Sequence, residues 1–184
     1  MMTDQEVTQE QFARLIDDIA YLQDEAEALK YVIEQVPYTE QPPDGLSIYA
    51  LLKLLDHAQV NFFRPIVEKV FSDNRVVNIS DFEHFENSFQ EPPEEDADVE
   101  KALNKIIKHR AALLNVFTKI PLIDWERGVK NSEGDIITLY EFSVEMVKAE
   151  RAILKAIADL VMVYQNDRMT RREVDARSRK RKPE

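Results

Sequence analysis

Seven apolar residues between positions 139 and 160 (Leu139, Phe142, Met146, Ala149, Ile153, Ile157 and Leu160) recur every three or four places, the spacing that gathers side chains on one face of an α-helix. The pattern predicts a helix that opens at Thr138, runs to about Tyr164 and buries one face against other helices. Three earlier segments carry matching stripes. In the first, Phe12, Leu15, Ile19, Leu22, Ala26, Leu29 and Ile33 alternate three and four apart. A capping box is offered ahead of them by Thr3 with Glu6 or by Thr8 with Gln11, and Pro37 stops the pattern beyond Val36. Such a heptad also suits an intermolecular coiled coil. The downstream stripes are available to cover it, which favours a bundle closed within one chain.

The connection YTEQPPDGL has turn chemistry, and Ser47 is a good N-cap for a second helix starting at Ile48. Leu51, Leu55, Ala58, Phe62 and Ile66 mark its inner face, and Leu52, Leu54 and Phe63 widen the stripe. This helix is therefore expected to be flanked on both sides, with apolar surface left over. Pro65 lies inside the pattern and removes a helical hydrogen bond, which predicts a kink or a short break before residues 67–71. From 72 to 97 the periodicity weakens and ends in the acidic EPPEEDAD. Ser80 with Glu83 offers a cap for one or two turns that lay Phe82, Phe85 and Phe89 on the bundle surface. A connection of this length is explained if the second and third helices run parallel and the chain must travel the bundle's length between them.

A third helix follows from about Asp98 to Thr118, with Leu103, Ile106, Ile107, Leu113, Leu114 and Phe117 inward, and Pro121 closes it. Arg110 falls where the stripe wants an apolar residue. A side chain snorkelling at the bundle edge is the simpler expectation, and half of a semi-buried ion pair is the alternative. Residues 122–137 read as a polar loop, after which Thr138 with Glu141 caps the last helix. The architecture expected is all-α, with no sheet: a four-helix bundle over residues 1–165 with a long crossover between the second and third helices, followed by a basic C-terminal tail over 166–184.

Composition narrows the chemistry. Only three glycines in 184 residues weigh against an all-β fold, and 44% hydrophobic with 32% charged residues suits one ordinary domain. Without cysteine there is no disulfide, thiolate metal site or thiol nucleophile. No apolar run approaches the roughly 20 residues that span a bilayer, so no membrane association and a cytoplasmic location are expected. The net charge of -11 is uneven: residues 166–184 carry +4, which leaves -15 on the rest. That body repels nucleic acid, and a short basic end without interleaved aromatics reads as a solvated helix extension or a frayed terminus, so no nucleic-acid partner is expected.

The first amphipathic helix, the proline-bearing turn into SIYALLKLLDHAQVNFF, the long crossover, and the WERG loop ahead of TLYEFSVEMVKAERAILKAI together resemble the DinB/YfiT-like superfamily of four-helix bundles, over about Phe12 to Tyr164. The resemblance implies an up-down-down-up bundle, often assembled as a homodimer, and in many members a divalent metal used for thiol transfer or related chemistry. It also implies one histidine on the second helix and a His-x-x-x-His pair on the fourth, whose imidazoles project the same way and chelate one ion. In this sequence those positions fall on Leu54, Ala149 and Ile153. None of these binds a metal, so no metal and no cofactor are expected.

His57, one turn beyond Leu54, is the best polar candidate, with Arg110 and Glu150 as neighbours if the register allows. A lone histidine beside a helix stripe is more often a hydrogen-bonded structural residue than a catalyst. His84 lies in the crossover, and His109, within KIIKHR, belongs on a solvated face. The expectation is a metal-free bundle that binds a small molecule or a partner and is not an enzyme. The alternative is an enzyme of thiol-transferase or hydrolytic type, rebuilt around His57, Arg110 and Glu150.

Overall fold

The computed structural model describes residues 6–73, 75–79, 85–93, 95 and 97–180. Its first helix, α1 (Gln9–Leu29), starts at the second of the two capping boxes: Thr8 accepts from the Gln11 backbone N–H while the Gln11 side chain accepts from Thr8 N–H. A single 3-10 turn, Ile33–Gln35, carries the stripe on to Val36. The second long helix is built from α2 (Ile48–Ala58), a π-turn (Gln59–Phe63) and α3 (Arg64–Ser72). Ser47 caps it, accepting from Ala50 N–H at 3.1 Å. Pro65 therefore does not break the helix. The widened turn just before it absorbs the lost hydrogen bond, and Arg64 N–H reaches back five residues to the Gln59 carbonyl.

After α3 come a two-residue strand, β1 (Val77–Asn78), and one helical turn, α4 (Phe85–Ser88), then α5 (Val99–Phe117), capped by Asp98. The cap read from Ser80 and Glu83, together with Phe82 and His84, lies outside the described residues. Phe85 does pack on the bundle, with ring centroids 5.7 Å from Phe62 and 5.5 Å from Phe63.

The stretch read as a polar loop is instead ordered structure, and the expectation of no sheet fails with it. A 3-10 turn (Leu122–Glu126) leads into β2 (Gly128–Lys130) and β3 (Ile136–Thr138). They form an antiparallel hairpin, and β1 joins β2 in parallel to make a three-stranded sheet. The hairpin closes through Asn131, whose side chain accepts from Asp135 N–H at 2.8 Å, and through Gly134 at φ 91, a conformation glycine adopts without strain. Trp125 anchors the turn. It is fully buried, with its ring 5.1 Å from Phe117 and 5.7 Å from Phe12. A polar-looking text hid this anchor because one aromatic and two short strands leave no periodic signature.

Thr138 and Glu141 form the expected capping box, and α6 (Leu139–Lys180) follows for 42 residues. The helix passes through position 165 without interruption, and most side chains between 166 and 179 are exposed. Helix directions follow from contacts at both ends. Arg151 pairs with Asp18 at 3.2 Å and Arg168 donates to the Gln35 carbonyl at 3.2 Å, so α1 and α6 run the same way. At the other end Phe12 meets Trp125 beside the last residue of α5, so α5 runs opposite to α1. The second helix begins where Tyr49 N–H bonds the Tyr38 carbonyl and finishes where Arg127 donates to the Val70 carbonyl, so it runs with α5. Both α1 and α2 pack chiefly on α5 and α6. One core results, a four-helix bundle with the small sheet across one end.

Candidate functional site

The stripes that build the bundle also bring two charged residues into it. Arg110 on α5 and Glu150 on α6 are 1% and 0% exposed, and the guanidinium is in direct contact with the carboxylate. Arg110 is thus half of a fully buried ion pair, not a side chain snorkelling at the edge. The physical reason is position: it occupies an inward site on α5 between Ile106 and Leu113, with no path to water for its stem to follow. Burial pushes its pKa down to about 9. Further N–H and oxygen atoms of the pair have no other partner among the described residues, so each charge depends on the other.

His57 does not join this pair. It is half-buried on α2 and turns toward α4, where Nε2 lies 3.0 Å from Ser88 Oγ. Asn61 Nδ2 donates to Nδ1 at 2.9 Å, which puts the ring proton on Nε2. Ser88 Oγ then accepts from His57 and gives its own proton to the Phe85 carbonyl at 3.0 Å. A histidine that donates to a hydroxyl is not placed to deprotonate it. The structure therefore assembles two of the three sequence candidates, Arg110 and Glu150, and leaves the third elsewhere.

Sequence reading passed over Asp56, which is the centre of a second polar group. It is 6% exposed, accepts from Lys105 Nζ at 2.7 Å, and lies 3.9 Å from Lys53 Nζ and 3.8 Å from His109 Nε2. His109 accordingly sits against α2, not on a solvated face. Burial lowers its pKa below 6.5, the Asp56 carboxylate works the other way, and Lys105, Arg64 and Lys108 add to the lowering. No heptad rule marks Asp56, because an aspartate beside a wide apolar stripe looks like its solvent edge.

An apolar opening lies elsewhere, where the second helix, α4, the hairpin and α6 meet. This cleft has a volume of about 430 Å3. Phe63 and Ile66 form one wall, Phe142, Met146 and Ala149 the other, and Phe85, Ile79 and Ile137 close the ends. Glu145 and Asn131 are its polar lining residues. Phe142, Met146 and Ala149 were read from the sequence as core stripe, and a stripe facing a neighbour has the same spacing as a stripe facing a cleft.

No protein-family model and no curated protein matches the chain. Among solved structures one match is YfiT from Bacillus subtilis, described as a probable metal-dependent hydrolase with an unusual four-helix bundle topology. The two superpose with a TM-score of 0.68 over 87% of this chain and 91% of YfiT, at 13% sequence identity. The chain has the YfiT fold. The DinB/YfiT-like resemblance read from the stripes is thereby shown at the level of architecture.

On that YfiT-like bundle, the three positions implied for metal ligands are hydrocarbon. Leu54 and Ile153 are each 7% exposed in the core, and Ala149 lines the apolar cleft. Among the described residues, no group of three or more His, Cys, Asp or Glu is arranged to hold a metal ion. Side chains without lone pairs do not fit a metal centre. Also among the described residues, no helix is long and apolar enough to cross a membrane.

Proposed function

We propose that this YfiT-like bundle is a metal-free binding protein that takes up a small, mainly apolar molecule in the cleft between the second helix, the hairpin and the first turns of α6. The observation that carries this reading is the lining itself. About 430 Å3 of open space is walled by Phe63, Phe85, Ile137, Phe142 and Met146, within the roughly 300–1,000 Å3 range of small-molecule sites. Water held against such a surface is readily displaced by apolar groups. The neutral fluorophore 1-aminoanthracene tests it. The wild-type chain is expected to bind one equivalent saturably, and Ala149→Phe, which fills the cleft from α6, is expected to weaken binding at least about tenfold. Equal affinity in the two proteins removes the proposal.

We propose as well that two copies associate through α6. The apolar surplus of the second helix does not supply the interface, since Leu54, Phe62, Phe63, Val67 and Val70 are covered within the chain. The outward side of α6 takes its place, with Met162, Val163, Met169 and Val174 each more than half exposed. Arg168, Arg171, Arg172, Arg177 and Arg179 flank those residues, and the acidic body of a second copy is their natural counterpart. Light scattering at tens of micromolar is expected to return a dimer mass for the full chain and a monomer mass for a chain ending at Tyr164. A monomer mass for the full chain ends this part of the account.

A further inference from the structure

The polar group around Asp56 opens onto a second cleft, of about 360 Å3, on the side of the bundle formed by α2, α4 and α5. Its lining is mostly polar, unlike that of the apolar cleft. Lys53, Lys105, Asn61 and Gln90 supply N–H donors, and His57 and Ser88 form one wall. By formal charge the lining residues, with Lys53 and Lys105 against Asp56, carry +1, on a body whose net charge is -15. Two cations gather here on an otherwise acidic surface: Lys105 makes the close contact with Asp56 at 2.7 Å, and Lys53 stands 3.9 Å from it. Among the described residues Asp56 Oδ1 is buried without a hydrogen-bond partner, and Oδ2 faces the two ammonium groups at the mouth. Beside them lie Val60 and Phe89, and the Phe89 ring centre is 5.8 Å from that of His57.

We infer that this cleft binds a small organic monocarboxylate. Lys53 and Lys105 face its carboxylate, and Val60 and Phe89 cover its apolar body. One negative charge matches the surplus of one positive charge, and charge-assisted hydrogen bonds to two lysines provide the orientation. The His57 ring, with Ser88 and Asn61 satisfying both its nitrogens, acts as a rigid wall and as a reporter. The inference stands apart from the apolar cleft, because Ala149→Phe does not touch these residues.

Benzoate is the probe, titrated into the full chain while the imidazole resonances of His57 and His109 are followed by NMR. Wild-type protein is expected to show saturable shifts at His57 in the millimolar range. Lys53→Met is expected to weaken binding about tenfold with ligand-free His57 and His109 resonances unmoved, and Lys53→Arg is expected to retain it. Non-saturating shifts, or identical curves for wild type and Lys53→Met, overturn the assignment. Saturation by inorganic phosphate in place of benzoate overturns the carboxylate class.

Discussion

Replacing Glu150 with alanine is expected to lower the stability of the bundle by about 3–5 kcal/mol, because the guanidinium of Arg110 is left buried without its carboxylate. Arg110 is 1% exposed and its own burial already works against its charge. The informative comparison is the double replacement Arg110→Met with Glu150→Leu, which removes both charges and keeps similar volume. Urea denaturation should place this variant within about 1 kcal/mol of the parent, or above it, since well-packed apolar substitutes for buried pairs are often neutral or stabilising. The contrast separates the worth of the pair from the damage of breaking it. A cost below about 1 kcal/mol for Glu150→Ala alone would mean that Arg110 reaches water in solution.

The second large effect is expected at Ile153, the position that the resemblance assigns to a metal ligand. Ile153 is 7% exposed within the apolar core. Ile153→Asp should cost several kcal/mol, because an ionised carboxylate loses its hydration there and gains no partner. Ile153→Val should cost about 1 kcal/mol as a small cavity. Similar urea midpoints for the two variants would show position 153 facing solvent or a wet pocket, and would return a polar site to the fourth helix.

The helices were legible because each is fixed by local rules that burial then enforces. Thr8, Ser47, Asp98 and Thr138 each cap the helix that follows, and the stripes on α1, α5 and α6 became the core almost position for position. Pro65 was legible as a disturbance but not as a π-turn, since the same missing N–H is compatible with a kink, a break or a widened turn. The hairpin was not legible. Its strands are three residues each, too short for alternation to register, and its anchor Trp125 finds Phe12 and Phe117 only once the chain has folded.

The sites were less legible than the fold, for a related reason. Arg110 and Glu150 lie far apart in sequence and meet only because α5 and α6 hold them at one level, so the choice between edge and interior needed three dimensions. The same holds for Asp56 with Lys105, and for the cleft, whose walls come from four separate elements. The metal positions were the converse case. Leu54, Ala149 and Ile153 could be judged by residue type alone, since no packing supplies a lone pair to a hydrocarbon.

The YfiT fold is present here, while the positions implied for metal ligands are hydrocarbon. Elemental analysis by inductively coupled plasma mass spectrometry tests it most directly, on the chain purified without chelators and dialysed against zinc and nickel. The account predicts far less than one metal ion per chain. One zinc or nickel per chain, retained through gel filtration, would contradict it.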